Sequence, residues 1–117
     1  MTTYDVFITY SHKDGEWVQN WLLHRLEDAG LSVCIDFRDF DIGVPKLVNM
    51  EQAVDRSRKT LLVLTPSWVK SEWTNFEALL VQTDDPIGLR RRILPLMLKR
   101  CDPPKRIAML TYADFTV

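Results

Sequence analysis

The 117-residue chain is 46% hydrophobic and 26% charged, which suffices to bury one core without disulfide or metal staples. A formal net charge of -1 gives no global attraction to nucleic acid or anionic lipid, despite the local basic runs Arg90-Arg91-Arg92 and Lys99-Arg100, so neither is expected as a partner. Cys34 lies in an apolar run and Cys101 beside Asp102-Pro103-Pro104; without metal-ligand spacing they read as reduced thiols of a cytoplasmic domain, and no signal peptide or bilayer-length apolar run is evident.

Tyr4 to Tyr10 is short and rich in β-branched and aromatic residues, as a first strand requires. Trp17, Val18, Trp21, Leu22 and Leu26 then recur at helical spacing, with Asp14 as the expected cap and Gly30 as the left-handed stop. Leu31 to Phe37 reads as the second strand. A weaker helix is expected from about Asn49 to Arg56, and the apolar run Thr60 to Thr65 suits a strand buried on both faces and ended by Pro66. A further helix is expected from Ser71 to Val81, then strands Ile93 to Leu98 and Ile107 to Tyr112, with turns at Asp84-Asp85-Pro86 and Cys101 to Pro104. Pro95 argues against a central place for its strand. This alternation gives an α/β fold, a flavodoxin-like doubly wound parallel sheet of five strands in the order 2-1-3-4-5. No closing helix follows the fifth strand, so residues 1–117 are expected to be the N-terminal part of a longer multidomain protein.

In such a sheet, ligands bind beyond the carboxyl ends of the strands, where the chain order reverses. That gathers Thr9 to His12, Asp36 to Asp39, Thr65 to Ser67, and Lys99 onward. The loop Arg38 to Pro45 is charged and hinged by Gly43 and Pro45. Trp73 and Glu77, four apart, share one helix face. They are either a core tryptophan beside a solvated charge, or a pocket wall able to hold a flat cationic ring. The four glycines are too scattered for a phosphate-binding loop, and neither histidine sits with a nucleophile. No metal and no resident cofactor are expected.

Three spaced segments resemble the TIR (Toll/interleukin-1 receptor) domain family: YDVFITYS (Tyr4 to Ser11) its first box, RDFDIGVP (Arg38 to Pro45) its second box with the BB loop, and SEWTNFE (Ser71 to Glu77) its Ser-x-Trp-x-x-x-Glu segment. The ending from Asp102 to Phe115 is similar to bacterial members, whereas the family's Phe-Trp third box is missing. The resemblance implies either of two classes. Members that cleave NAD+, bacterial antiphage effectors among them, carry a glutamate where Glu77 stands. Other members are signalling scaffolds that act by homotypic TIR–TIR contact.

For the first class the resemblance implies Glu77 as the catalytic residue, Trp73 as the ring-stacking residue, and Tyr10, Ser11, Asp36 and Val44 as the groove for NAD+, which is substrate and not cofactor. Asp39, Asp41, Gly43 and Pro45 would form the self-association surface of the BB loop, and a fused or partner sensor domain would drive assembly. One carboxylate suffices for this chemistry, because nicotinamide leaves as a neutral molecule and needs no general acid, unlike sugar leaving groups served by paired carboxylates. The products would be nicotinamide with ADP-ribose or a cyclic isomer of it.

Overall fold

The computed structural model describes residues 3–82 and 93–116. Its sheet contains β1 (Tyr4–Thr9), β2 (Val33–Cys34), β3 (Ser57–Leu64), β4 (Ile93–Met97) and β5 (Ala113–Asp114), all pairs parallel and ordered β2-β1-β3-β4-β5. This is the order expected from the sequence. Successive residues of a strand face opposite sides, so β1 and β3 feed two cores. Phe7, Leu62 and Leu64 pack with Met50, Trp68, Phe76 and Ile107 on one face. Val6, Ile8 and Val63 pack with Val18, Leu22 and Leu96 on the other.

The first helical stretch starts as a 3-10 turn, His12–Asp14, continues through Gly15–Trp17, widens to π geometry over Val18–Leu22 and ends with Leu23–Asp28. Ser11, not Asp14, caps it: the Ser11 hydroxyl accepts from the Lys13 amide, and Asp14 makes no side-chain capping bond. Gly30 takes the expected left-handed conformation, with φ +88.

Other differences from the sequence reading have local causes. The second strand is only Val33–Cys34, because Asp36–Asp39 forms one helical turn. The Ile35 amide donates to Asp39 Oδ2 at 2.8 Å and Arg38 Nη2 donates to the Val33 carbonyl at 2.7 Å, which bends the chain out of the sheet. The helix expected from about Asn49 begins at Lys46 and runs to Arg56. β3 begins at Ser57 rather than Thr60. Pro66 ends β3 and also opens a helix that periodicity did not reveal, Pro66–Ser71, whose cap Thr65 accepts from the Trp68 amide. The helix expected from Ser71 is therefore Trp73–Gln82.

β4 lies between β3 and β5 in spite of Pro95. It is accommodated because β5 pairs only with Leu96 and Met97, leaving Pro95 paired with Leu62 alone among the described residues. The fifth strand is not Ile107 to Tyr112. Lys105–Ala108 is helical, following Pro104, and buried Ile107 with Leu110 three residues on meets the core from that turn. The expected turn at Asp84-Asp85-Pro86 and the run Arg90 to Arg92 lie outside the described residues.

Candidate functional site

At the end of β1, Tyr10 is buried and its hydroxyl donates to Asp36 Oδ1 across 2.6 Å. Gln19, in the π segment, donates to the same hydroxyl at 3.1 Å. His12 Nε2 stands 2.8 Å from the other Asp36 oxygen, with its own ring exposed. Burial, and then the hydrogen bond to Asp36, push the Tyr10 phenol far above its ordinary pKa, so it stays a protonated donor. Of the residues gathered at the strand ends by the sequence reading, Tyr10 and His12 both reach Asp36, whereas Ser11 caps the following turn and lines the crevice described below.

Buried Asp14 joins three strand ends. Thr65 Oγ1 donates to its Oδ2 at 2.7 Å, and Lys99 Nζ forms an ion pair with Oδ1 at 3.0 Å. Trp68 Nε1 donates to Thr9 Oγ1 at 3.2 Å from a fully buried ring. These bonds fix the strand ends from which the site opens.

An open crevice of about 450 Å³ lies at these ends, with Ser11, His12 and Lys13 on one wall and Ser67, Lys70 and Glu72 on the other. A much smaller pocket of about 10 Å³ lies nearby, bordered by Tyr10, Asp36, Phe40, Lys46, Met50 and Glu72. Glu72 is nearly buried and its Oε1 is 2.9 Å from Lys46 Nζ.

Trp73 is half-buried, its ring centroid 6.1 Å from that of Trp68 and packed on the core. Glu77 is exposed on the same helix and borders neither cavity. The face shared by Trp73 and Glu77 thus runs from the core to solvent. In the BB loop, Gly43 has φ +85, a conformation that favours glycine. Asp41, Ile42 and Pro45 are exposed and Val44 is half-buried. Asp39 is turned inward to the Ile35 amide and Arg38, away from the loop tip.

Sequence reasoning missed Asn49, Lys46 and Glu72. Asn49 is buried and clamps the loop: its Oδ1 accepts from the Asp41 amide at 3.0 Å, while its Nδ2 donates to the carbonyls of Asp41 at 3.1 Å and Val44 at 3.3 Å. An asparagine inside a helix, where its propensity is poor, was the available signal. Lys46 and Glu72 are distant in sequence and carried no local signal of their pairing.

The family model described as "TIR domain" matches residues 6–117. Toll-like receptor 2 of Canis lupus familiaris is 40% identical over 76 residues, 63% of this chain and 10% of the receptor. The chain spans about a tenth of the length of the Toll-like receptors it matches. Among solved structures, the TIR domain of the Toll-related receptor TRR-2 from Hydra magnipapillata superposes with a TM-score of 0.82 at 33% identity, covering 97% of this chain and 85% of that one. A metazoan TIR-STING receptor from C. gigas superposes with a TM-score of 0.76 at 26% identity, covering 97% of this chain and 37% of that one. With a family match over nearly its whole length and the sheet order described above, the chain belongs to the TIR domain family.

Proposed function

We propose that this TIR domain is a self-assembling NAD+ nucleosidase that cleaves the bond between nicotinamide and ribose. The observation that carries the reading is the open crevice at the carboxyl ends of β1 and β3, where Ser11 and His12 face the helical segment leading to Trp73. Its volume of about 450 Å³ falls in the range of small-ligand sites. Nearby, the Asp36 carboxylate is held in place by the Tyr10 hydroxyl and offers a fixed acceptor.

In the reaction, the bond from ribose C1′ to the pyridinium nitrogen breaks and its electron pair stays on nitrogen, so nicotinamide leaves neutral. Glu77 stabilises the cationic ribosyl centre, electrostatically or by transient covalent capture. Water attacks C1′ and loses a proton to give ADP-ribose; attack by a nitrogen or oxygen of the same molecule gives a cyclic isomer. Trp73 orients the ring. Glu77 lies outside the crevice of the single domain, so the reading requires a shift of the loop or a neighbouring domain to complete the site. The BB loop, with Asp41, Gly43 and Pro45 exposed at its tip, supplies that contact. The proposed setting is a cytoplasmic immune-signalling protein, bacterial antiphage effectors included, with a fused or recruited sensor domain.

A second reading, a scaffold without catalysis, is favoured by the exposure of Glu77, by the packing of Trp73 on Trp68, and by the fully exposed Ile42 at the loop tip. Incubating the clustered domain with NAD+ and measuring free nicotinamide separates the two. Release supports the enzyme, and its absence at high density supports the scaffold.

A further inference from the structure

Asp36 is held at both oxygens. Its Oδ1 accepts from the Tyr10 hydroxyl at 2.6 Å and from the Phe37 amide at 2.7 Å, and its Oδ2 stands 2.8 Å from His12 Nε2. Gln19, in the segment of π geometry, donates in turn to the Tyr10 hydroxyl. Gln19, Tyr10, Asp36 and His12 thus form one chain of contacts, buried at Tyr10, half-buried at Asp36 and exposed at His12. Of the four, only His12 lines the open crevice.

The chain orients the imidazole. A carboxylate only accepts hydrogen bonds, so Nε2 donates to Asp36 and Nδ1 is left as the acceptor of the neutral ring. A histidine turned by an anchored carboxylate, at the edge of a crevice, has the arrangement of a general base. A merely solvated histidine would need none of the deeper bonds. π geometry is rare and concentrates at functional sites, and here its Gln19 is bonded to the hydroxyl that anchors Asp36.

Oxygen and nitrogen nucleophiles differ in what they must shed. Once nicotinamide has left, water joins its oxygen to ribose C1′ and must lose a proton, whereas a pyridine nitrogen adds through its lone pair and loses nothing. We propose that His12 is the general base of this second step: as the O–C1′ bond forms, the proton passes from water to Nδ1, and Asp36 stabilises the imidazolium until it gives the proton to solvent. Asp36 is then a positioning residue, and the cationic centre itself is left to Glu77. This rests on the reading that the crevice takes NAD+.

The test is a competition between the two nucleophiles. The full chain, densely clustered, is given NAD+ and 3-acetylpyridine, and the exchanged dinucleotide is measured against the products of capture by oxygen. His12→Ala should raise the ratio of exchange to oxygen capture at least about tenfold, below the roughly 10²- to 10⁴-fold of general-base catalysis because the ribosyl cation is already reactive. Added imidazole should bring the ratio back towards the native value. His12→Gln, which can still donate to Asp36 but has no basic nitrogen, should match His12→Ala and serves where the alanine variant folds poorly. Asp36→Asn, which removes the charge that steadies the imidazolium, should raise the ratio without rescue by imidazole. Equal ratios in the native and His12-substituted proteins, or a rise that imidazole does not reverse, overturn the base. Nicotinamide release with an unchanged ratio defeats His12 alone; no release from the native chain defeats the nucleosidase reading and the role of His12 with it.

Discussion

Tyr10 Oη and Asp36 Oδ1, 2.6 Å apart, join the end of β1 to the turn that follows β2. Tyr10→Phe removes this bond while keeping the ring in the core. Hydrogen bonds to charged partners contribute about 1.5 to 3 kcal/mol, and the partial solvation of Asp36 places this one at the lower end. Urea unfolding should show a loss of about 1.5 kcal/mol with an unchanged m-value. No loss would mean that the bond does not form in solution.

Trp73 and Glu77 should separate when substituted. Trp73→Ala removes a half-buried ring packed on Trp68 and should cost about 3 kcal/mol, visible as a sharp fall in Tm. Glu77→Gln changes an exposed side chain and should alter stability by less than about 0.5 kcal/mol, while lowering NAD+ cleavage by roughly two to three orders of magnitude. Near-native turnover by folded Glu77→Gln would remove Glu77 from catalysis.

Alkaline pH should act through Cys34. Burial first, and then the Asp39 carboxylate, push its thiol from 9.0 to about 12. The folded state thus holds a proton that the unfolded chain releases above pH 9, and ionisation favours unfolding. The contribution is complete below pH 9 and is lost as pH rises from 9 to 12. Thermal melts over that range should fall less steeply for Cys34→Ala than for the native chain. Parallel slopes would show that the thiol is not the titrating group.

Asp41 presents an exposed side chain, and only its backbone is clamped by Asn49. Asp41→Lys should therefore leave Tm within about 1 °C, since surface changes are near neutral, and weaken self-association seen by sedimentation. Unchanged association would move the contact away from this side of the loop.

The sheet order was legible because β-rich segments alternate with helical periodicity and β3 is apolar on both faces. What escaped was governed by single side chains. Asp39 and Arg38 turn the chain out of β2 at Asp36, and Pro104 starts a helical turn where Ile107 and Leu110 had read as strand. The meeting of Tyr10 and His12 with Asp36 followed from topology, since all lie beyond the carboxyl ends of adjacent strands. Glu72 and Lys46 did not, because a pairing across 26 positions leaves no periodic trace, and neither residue stands out in the sequence among the other charged residues.

The most direct test of assembly-coupled NAD+ cleavage is nicotinamide release per domain, followed from dilute solution to a clustering matrix, for the native chain, Asp41→Lys and Glu77→Gln. The account predicts specific activity that rises with clustering in the native chain, rises less in Asp41→Lys, and stays near background in Glu77→Gln at every density. Release independent of density in a uniformly monomeric domain, or none from the native chain even when densely clustered, would contradict it.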